Sequence, residues 1–426
     1  MSDWPHIDEI DVRLDFGSDG TAHVGTMAIA DDRVFFEYRD DFLSREINPA
    51  PFNLPYLEGP FVIPVRKDGA PGCMFADAVP DGWTRHLLEA RLLEAGFEPS
   101  QLSPIDRLAL VGSNGIGALS FAPAHDIQVA VSPLTLEDLA ATVLATGGDG
   151  DVGLETARLF AGSLGGMRPK ANVWQQADGT VSALPQAQQN PWIVKFPRPG
   201  FDPPDAGPIE FAYSLMARAA GIEMTATRLL ETTDGPGYFA TARFDRLGDR
   251  RFHYQSLAGL LDLDPMQRSS YGILLGIEKI LSGASDPDEQ LVRRMVFNVL
   301  AANRDDHTRN HGFLMNAEGI WTPAPAFDIT FEPLKEHVLV VGSDARYPTD
   351  EDLVSVVEQA GGSADLARAI VKEVRDVVKE WPTFAKEAGV STTTADRIAT
   401  SIQALRRNDV TSARAAAIAA SHDWER

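Results

Sequence analysis

The sequence predicts an α+β protein built in lobes, with strands first and helices after. Three observations carry this. Between Glu9 and Arg243, short runs of partly alternating apolar and polar residues recur, punctuated by Gly, Asp and Ser turns. From Ser256 onward the apolar spacing is helical. The two kinds of segment follow one another instead of alternating, which argues against a doubly wound parallel sheet. A length of 426 residues allows two or three domains with ample core.

With 44% hydrophobic and 23% charged residues, the composition is that of an ordinary globular protein. The formal net charge of -23 argues against binding nucleic acid or an anionic membrane through the surface as a whole, and leaves room for a basic partner. Cys73 is the single cysteine, which excludes an intrachain disulfide and a cysteine-rich zinc site. The stretch MSDWPHIDEIDVRLDF has no basic-then-apolar signal region, and no apolar run approaches the ~20 residues of a spanning helix. The expectation is a cytoplasmic protein without a membrane partner.

Residues 1–125 read as a β-rich domain with one or two helices. EIDVRLDF and TAHVGTMAIA are strands around the Gly17-Ser18-Asp19-Gly20 turn, and DRVFFEYR continues the pattern. After Pro80-Asp81-Gly82 a helix runs toward Gly96, with Trp83, Leu87, Leu88, Leu92 and Leu93 on one side. RLALVGSNGIGALSFAPA predicts a strand, a glycine turn from Gly112 to Gly117 and a second strand. Such a turn is a weak phosphate signal and a better hairpin one.

In the next part, residues 126–241, Ser132–Thr146 reads as a short helix capped by Ser132. FAGSLGGMRPKANV follows, in which Ser163, Leu164, Gly165, Gly166, Met167, Arg168 and Lys170 make a glycine-rich loop. Glycines let the backbone approach an anion, and successive N–H groups can cradle phosphate oxygens. The pattern is not G-x-x-x-x-G-K-[ST], no helix follows it directly, and a plain β-turn suits the same residues. Asn190–Pro197 is an apolar strand with Lys195 in its middle, a lysine that either snorkels out or meets an anion. A helix, IEFAYSLMARAAGI, carries Glu210 in its first turn. That carboxylate is either a favourable charge at a helix N-terminus or the partner of Lys195, as in the lysine–glutamate pair of kinases. Thr227–Leu230 and Tyr238–Arg243 are strands around Asp234-Gly235. In a two-lobed reading, Ala242, Arg243 and Phe244 then form the hinge that faces adenine.

Residues 242–426 read as all-helical: 256–263, 271–281, 286–302, 352–359, 364–379, 394–407 and 412–421. Asp286 is the expected cap of the third helix, with Pro287 at its first position and Glu289 closing a capping box. The chemistry is concentrated between Asn298 and Thr330. Asp305, Asp306, His307, Asn310 and His311 sit where the chain turns after that helix, and the apolar run Ile320–Phe327 ends on Asp328. Asp305 and Asn310 have the D-x-x-x-x-N spacing of a kinase catalytic loop. Phosphoryl transfer needs a carboxylate to orient the attacking hydroxyl and take its proton, and oxygen ligands to hold Mg²⁺ against the phosphates. Asp305 suits the first role; Asn310 and Asp328 suit the second. The spacing alone also fits a solvated polar turn, so the weight rests on the rest of an ATP site upstream.

FADAVPDGW (75–83), LALVGSNGIGALSF (108–121), GSLGGMRPK (162–170), WIVKFP (192–197), ARFDR (242–246), FNVLAANRDDHTRNHGF (297–313) and PAFDIT (325–330) stand in an order and spacing that resemble the HipA-type toxin kinases of bacterial toxin–antitoxin systems. The resemblance covers nearly the whole chain. It implies a two-lobed protein-kinase-like fold related to phosphoinositide kinases, with an added N-terminal β-rich subdomain (1–125), an N-lobe (126–241) and a helical C-lobe (242–426). The implied activity is ATP- and Mg²⁺-dependent phosphorylation on serine or threonine of an aminoacyl-tRNA synthetase, most familiarly the glutamyl enzyme, which halts translation. By this resemblance Asp305 is the base, and Asn310 and Asp328 are the Mg²⁺ ligands. His307 lies beside the nucleotide, Lys195 binds phosphate, residues 164–170 form the phosphate loop, and Ser163 is the site of silencing autophosphorylation. Ala242 stands where some members have glutamate, so only backbone contacts to adenine carry over there. The implied partner is a small helix-turn-helix antitoxin of the HipB type that binds operator DNA, so contact with DNA comes mainly through it.

Two other readings compete. Asp305, Asp306, His307 and His311 could serve a metal-dependent hydrolase, since the histidines are i, i+4 apart, but no complete ligand set is present and Lys195 and the glycine loop go unexplained. A kinase-inactive repressor subunit of an antitoxin complex would not need Asp305, Asn310, Asp328 and Lys195 intact.

Overall fold

The computed structural model describes residues 4–125, 136, 139–141, 166–175, 181–182, 191–198, 200–232 and 235–406. Two compact units form: Met1–Asp202 with Ala240–Leu263 and Gly312–Trp321, and Pro203–Phe239 with Asp264–His311 and Thr322–Arg426.

In the first unit the strands β1 (Glu9–Asp15), β2 (Thr21–Ala30), β3 (Arg33–Tyr38), β4 (Pro60–Ile63) and β5 (Leu119–Ala122) form an antiparallel sheet in the order β4-β3-β2-β1-β5. Alternation sets its faces. Ile10, Val12 and Leu14 of β1 are fully buried while Glu9 and Arg13 point outward. The predicted first strand of the glycine turn is instead a helix, Pro104–Val111. Asp106 N–H donates to Ser103 Oγ at 3.0 Å and Ser103 N–H to the Asp106 carboxylate at 2.9 Å, with Pro104 at the first helical position. That Ser-Pro-x-Asp start outweighs the strand-like run, which is apolar because the helix is buried almost all round. Leu110 joins Trp4, Leu88, Leu92 and Leu102 in a cluster that seats the Gly82–Glu94 helix.

A second sheet in this unit contains β6 (Lys170–Gln175), β7 (Val181–Ser182) and β8 (Trp192–Lys195) in the order β7-β6-β8. β6 and β8 are antiparallel, with Lys170 opposite Lys195 and Asn172 opposite Ile193. The part after residue 242 is not all-helical. His253–Ser256 pairs antiparallel with Gly312–Met315, strands too short for a period to declare.

The second unit holds helices Ala206–Ala219, Tyr271–Ser282, Glu289–Leu300, Asp350–Gln359, Ala364–Lys379, Trp381–Glu387 and Thr392–Arg406. Ala367, Ile370, Val371, Val374 and Val378 form the inward stripe of the fifth of these. Tyr213 lies against Phe297 and Trp381 and donates its hydroxyl to the Ala301 carbonyl at 2.6 Å. Asp288, not Asp286, caps the Glu289–Leu300 helix and accepts from Gln290 and Leu291 N–H, because the helix starts later than Pro287 suggests. Of Ser132–Thr146 only residues 136 and 139–141 are described, as helical; Asp234 and Ser412–Ser421 lie outside the described residues. No helix among the described residues is long and apolar enough to cross a membrane.

Candidate active site

In the second unit, the Glu289–Leu300 helix buries Leu291, Val292, Met295 and Val296 and delivers the polar loop at its C-terminal end. Ala302, at φ +59°, turns the chain. The loop's stem then pairs with the segment after Asp328: Arg304 N–H donates to Glu332 C=O at 3.1 Å and Glu332 N–H to Ala302 C=O at 3.2 Å. Asp328 itself is held at φ +55°, a left-handed conformation that aspartate tolerates better than most residues. Such conformations persist where the surrounding structure over-determines them, most often at functional sites.

Asp305 and Asp306 are neighbours with different fates. Asp306 is fully buried and its carboxylate meets four donors: Tyr271 Oη at 2.7 Å, His337 Nδ1 at 2.9 Å, and the N–H groups of Val338 and Leu339 at 2.9 and 3.3 Å. Asn298 Nδ2 donates to Tyr271 Oη at 3.0 Å, and Asn303 Nδ2 to Asn298 Oδ1 at 2.9 Å. Arg304, also buried, donates to the carbonyls of Leu334, Lys335 and Arg346. With the residues on either side of it anchored inward, half-buried Asp305 is presented by a fixed loop. Asn310 Nδ2 donates to the Asp305 carbonyl at 2.8 Å across a single turn of 3₁₀ helix. That bond commits the amide nitrogen, so Oδ1 is the atom Asn310 offers a cation. Its oxygen and the Asp328 carboxylate are hard donors of the kind Mg²⁺ takes.

The hydrolase cluster does not assemble. Asp306 faces Tyr271 and His337, and His311 is buried against the edge of the Tyr271 ring at 5.6 Å. Burial pushes the His311 pKa from 6.5 down to about 4, against the opposing pull of Asp306. Burial likewise lowers His253 in the first unit to about 4. Both histidines are neutral in the fold where the unfolded chain takes up a proton. Their contribution is intact above about pH 6.5 and is lost as the pH falls toward 4, by roughly 3 kcal/mol per histidine. Urea midpoints measured from pH 7 to pH 4.5 should fall steadily, and His311→Asn should flatten that slope. An equal slope in the variant would show that His311 does not titrate this way.

Glu210 is 2% exposed and is the fifth residue of a helix that starts at Ala206, so it does not stand in the first turn as expected. The residues before it, Ala206, Gly207 and Pro208, extend the helix beyond the apolar pattern.

The first unit carries the glycine loop's second half, the two lysines and the residues expected to form the hinge. Ser163, Leu164 and Gly165 lie outside the described residues. Gly166 has φ +119°, and a Cβ there would stand 3.1 Å from Lys170 Nζ, so the Lys170 ammonium lies over this glycine. Lys170 is 3% exposed and directly opposite Lys195, which puts both lysines on one face of the sheet. Like charges facing each other across strands are unfavourable unless something negative sits between or beside them. Met167 is exposed, and the Arg168 guanidinium is 3.7 Å from the Asp202 carboxylate.

At the expected hinge, just past the end of the strand Tyr238–Ala242, Arg243 N–H donates to Pro191 C=O at 2.9 Å, and Phe244 begins a turn. The Arg243 guanidinium is spent on Asp245, which also takes Arg246 and the Gly117 N–H at 2.7 Å. Burial opposes the Asp245 charge, but Arg243 and Arg246 hold its carboxyl below the usual range. The Gly112–Gly117 turn thus serves the buried carboxylate of Asp245. Sequence reasoning missed Asp245, Tyr271, Arg304 and His337; only the quoted ARFDR stretch held a hint of the first.

The model of the HipA-like C-terminal domain matches residues 162–381, more than half of the chain. The chain belongs to the HipA family. The HipA N-terminal domain matches residues 19–122. Among curated proteins, Y4dM of Sinorhizobium fredii (strain NBRC 101917 / NGR234), named there as a candidate kinase, is 24% identical over 349 residues, spanning 76% of this chain and 77% of the relative. Among solved structures, HipA of Shewanella oneidensis MR-1, in its complex with HipB and operator DNA, superposes with a TM-score of 0.65 at 14% identity, over 93% of this chain and 95% of that one. The mixed α/β fold is therefore that of HipA.

Proposed function

We propose that this HipA-family chain is an ATP- and Mg²⁺-dependent serine/threonine protein kinase that acts as a toxin, on the two-lobed plan of protein kinases. The carrying observation is the loop in which Asn310 Nδ2 holds the Asp305 carbonyl while Asp306 is buried beside it. Asp305 orients the acceptor hydroxyl and takes its proton. Asn310 Oδ1 and the Asp328 carboxylate would hold Mg²⁺, which when bound neutralises charge developing on the phosphates. Lys170 and Lys195 meet those phosphates, Glu210 steadies Lys195, His307 lies beside the nucleotide, and the backbone of Ala242 and Phe244 meets adenine. Residues 164–170 form the phosphate loop, and Ser163 is the autophosphorylation site.

The substrate class that fits the family reading is an aminoacyl-tRNA synthetase, the glutamyl enzyme first. The S. oneidensis complex with HipB and operator DNA supports a helix-turn-helix antitoxin of the HipB type as partner, with DNA reached through it. The net charge of -23 suits a basic partner of that kind.

Lys195→Ala tests the nucleotide half. Losing one hydrogen bond to a charged group, about 1.5–3 kcal/mol, should weaken Mg–ATP binding ~10- to 100-fold by calorimetry. Unchanged affinity would remove Lys195 from the site.

A further inference from the structure

The Gly82–Glu94 helix has an aspartate, Asp81, in its N-cap position, yet that side chain makes no capping bond to its own helix. N-cap aspartates ordinarily accept from the second or third helical N–H. Here Asp81 Oδ1 instead accepts from the Gly166 N–H at 3.2 Å. In return the Gly166 carbonyl accepts from the Trp83 N–H at 3.0 Å, a bond that occupies the helix's second N–H. Gly166 is therefore the cap of a helix more than eighty residues away, and both of its backbone polar groups are committed to it.

The approach needs two glycines. Gly82 sits at φ +50°, and a Cβ on it would be 2.4 Å from the Gly166 carbonyl oxygen, a backbone atom that cannot swing aside. Lys170 Nζ also lies close to Gly166, 3.1 Å from where a Cβ would stand, and Lys170 is opposite Lys195 in the sheet. Gly166 is thus part of the backbone surface on which the Lys170 ammonium rests, and displacing it would take that support away.

We infer that the Asp81-Gly82-Trp83 turn anchors Gly166 and so fixes Lys170 beside Lys195, which makes Asp81 and Gly82 positioning residues for the nucleotide phosphates. This rests on the kinase reading above. Gly166 is on this account a fixed point of the phosphate loop and not one of its phosphate donors. The helix of the N-terminal region, and not the loop's own sequence alone, sets how tightly ATP is held.

The test uses the full chain with Asp81→Ala, Asp81→Asn and Gly82→Ala, and two readouts. Amide exchange of the 166–175 segment without nucleotide reports the anchor independently of catalysis. It should quicken about tenfold in Asp81→Ala and Gly82→Ala, and stay near wild type in Asp81→Asn, whose amide oxygen still accepts the Gly166 N–H. The KM for ATP should rise about tenfold in the first two variants with kcat changed far less, and Asp81→Asn should restore it. Unchanged exchange in Asp81→Ala and Gly82→Ala overturns the anchor. Quickened exchange with an unchanged KM, in a protein that transfers phosphate, overturns the positioning role. A wild type that transfers no phosphate sinks the kinase reading, and the anchor is then decided by exchange alone.

Discussion

Asp305→Asn lowers phosphate transfer by about 10²–10⁴-fold while Mg–ATP affinity stays close to wild type. The amide keeps the size and shape of the carboxylate and cannot take the acceptor's proton. The groups assigned to the phosphates and the cation, Lys170, Lys195, Asn310 and Asp328, are untouched. The loop should also survive, because Asn310 holds the Asp305 carbonyl and not its side chain. Single-turnover transfer beside calorimetric ATP binding separates the two effects. A variant that transfers at the wild-type rate, or that loses binding and rate in equal measure, would take the base away from Asp305.

Asp306→Ala destabilises the fold by roughly 3–5 kcal/mol, with little change expected from Asp305→Asn. Removing the buried Asp306 carboxylate strands Tyr271 Oη, His337 Nδ1 and the N–H groups of Val338 and Leu339 away from water. Each orphaned buried donor costs about 1–3 kcal/mol, and partial collapse of the site recovers some of it. Asp306→Asn should fall between, since one of its two oxygens becomes a donor facing donors. Urea unfolding at pH 7 reads this as a lower midpoint with an unchanged slope. A loss under about 1 kcal/mol for Asp306→Ala would mean that the four bonds do not hold the loop.

What could be read from the sequence was local. The β1 to β3 strands are legible because one face is buried, so the period of two survives in Ile10, Val12 and Leu14. The Asp305–Asn310 spacing is legible because one short loop holds both residues. The inward role of Asp306 was not, because its partners Tyr271 and His337 lie 35 and 31 residues away and no local pattern links them. The Pro104–Val111 helix was misread as a strand because a short, wholly apolar run has no period to show. Its start signal, Ser103 with Asp106, was there to be read. Asp286 and Asp288 are both chemically fit caps, and only the backbone decides for the second. Asp81 looked like an ordinary helix start, and its bond to Gly166 spans 85 residues.

The central claim is transfer of phosphate from ATP to protein, and γ-labelled ATP with Mg²⁺ tests it most directly. The wild-type chain is incubated with a bacterial lysate, and mass spectrometry then locates the label. The account predicts label on a serine or threonine of a synthetase-class protein and on Ser163 of the chain itself, with neither in Asp305→Asn. Release of inorganic phosphate without any labelled protein, or labelling that survives Asp305→Asn undiminished, would contradict it.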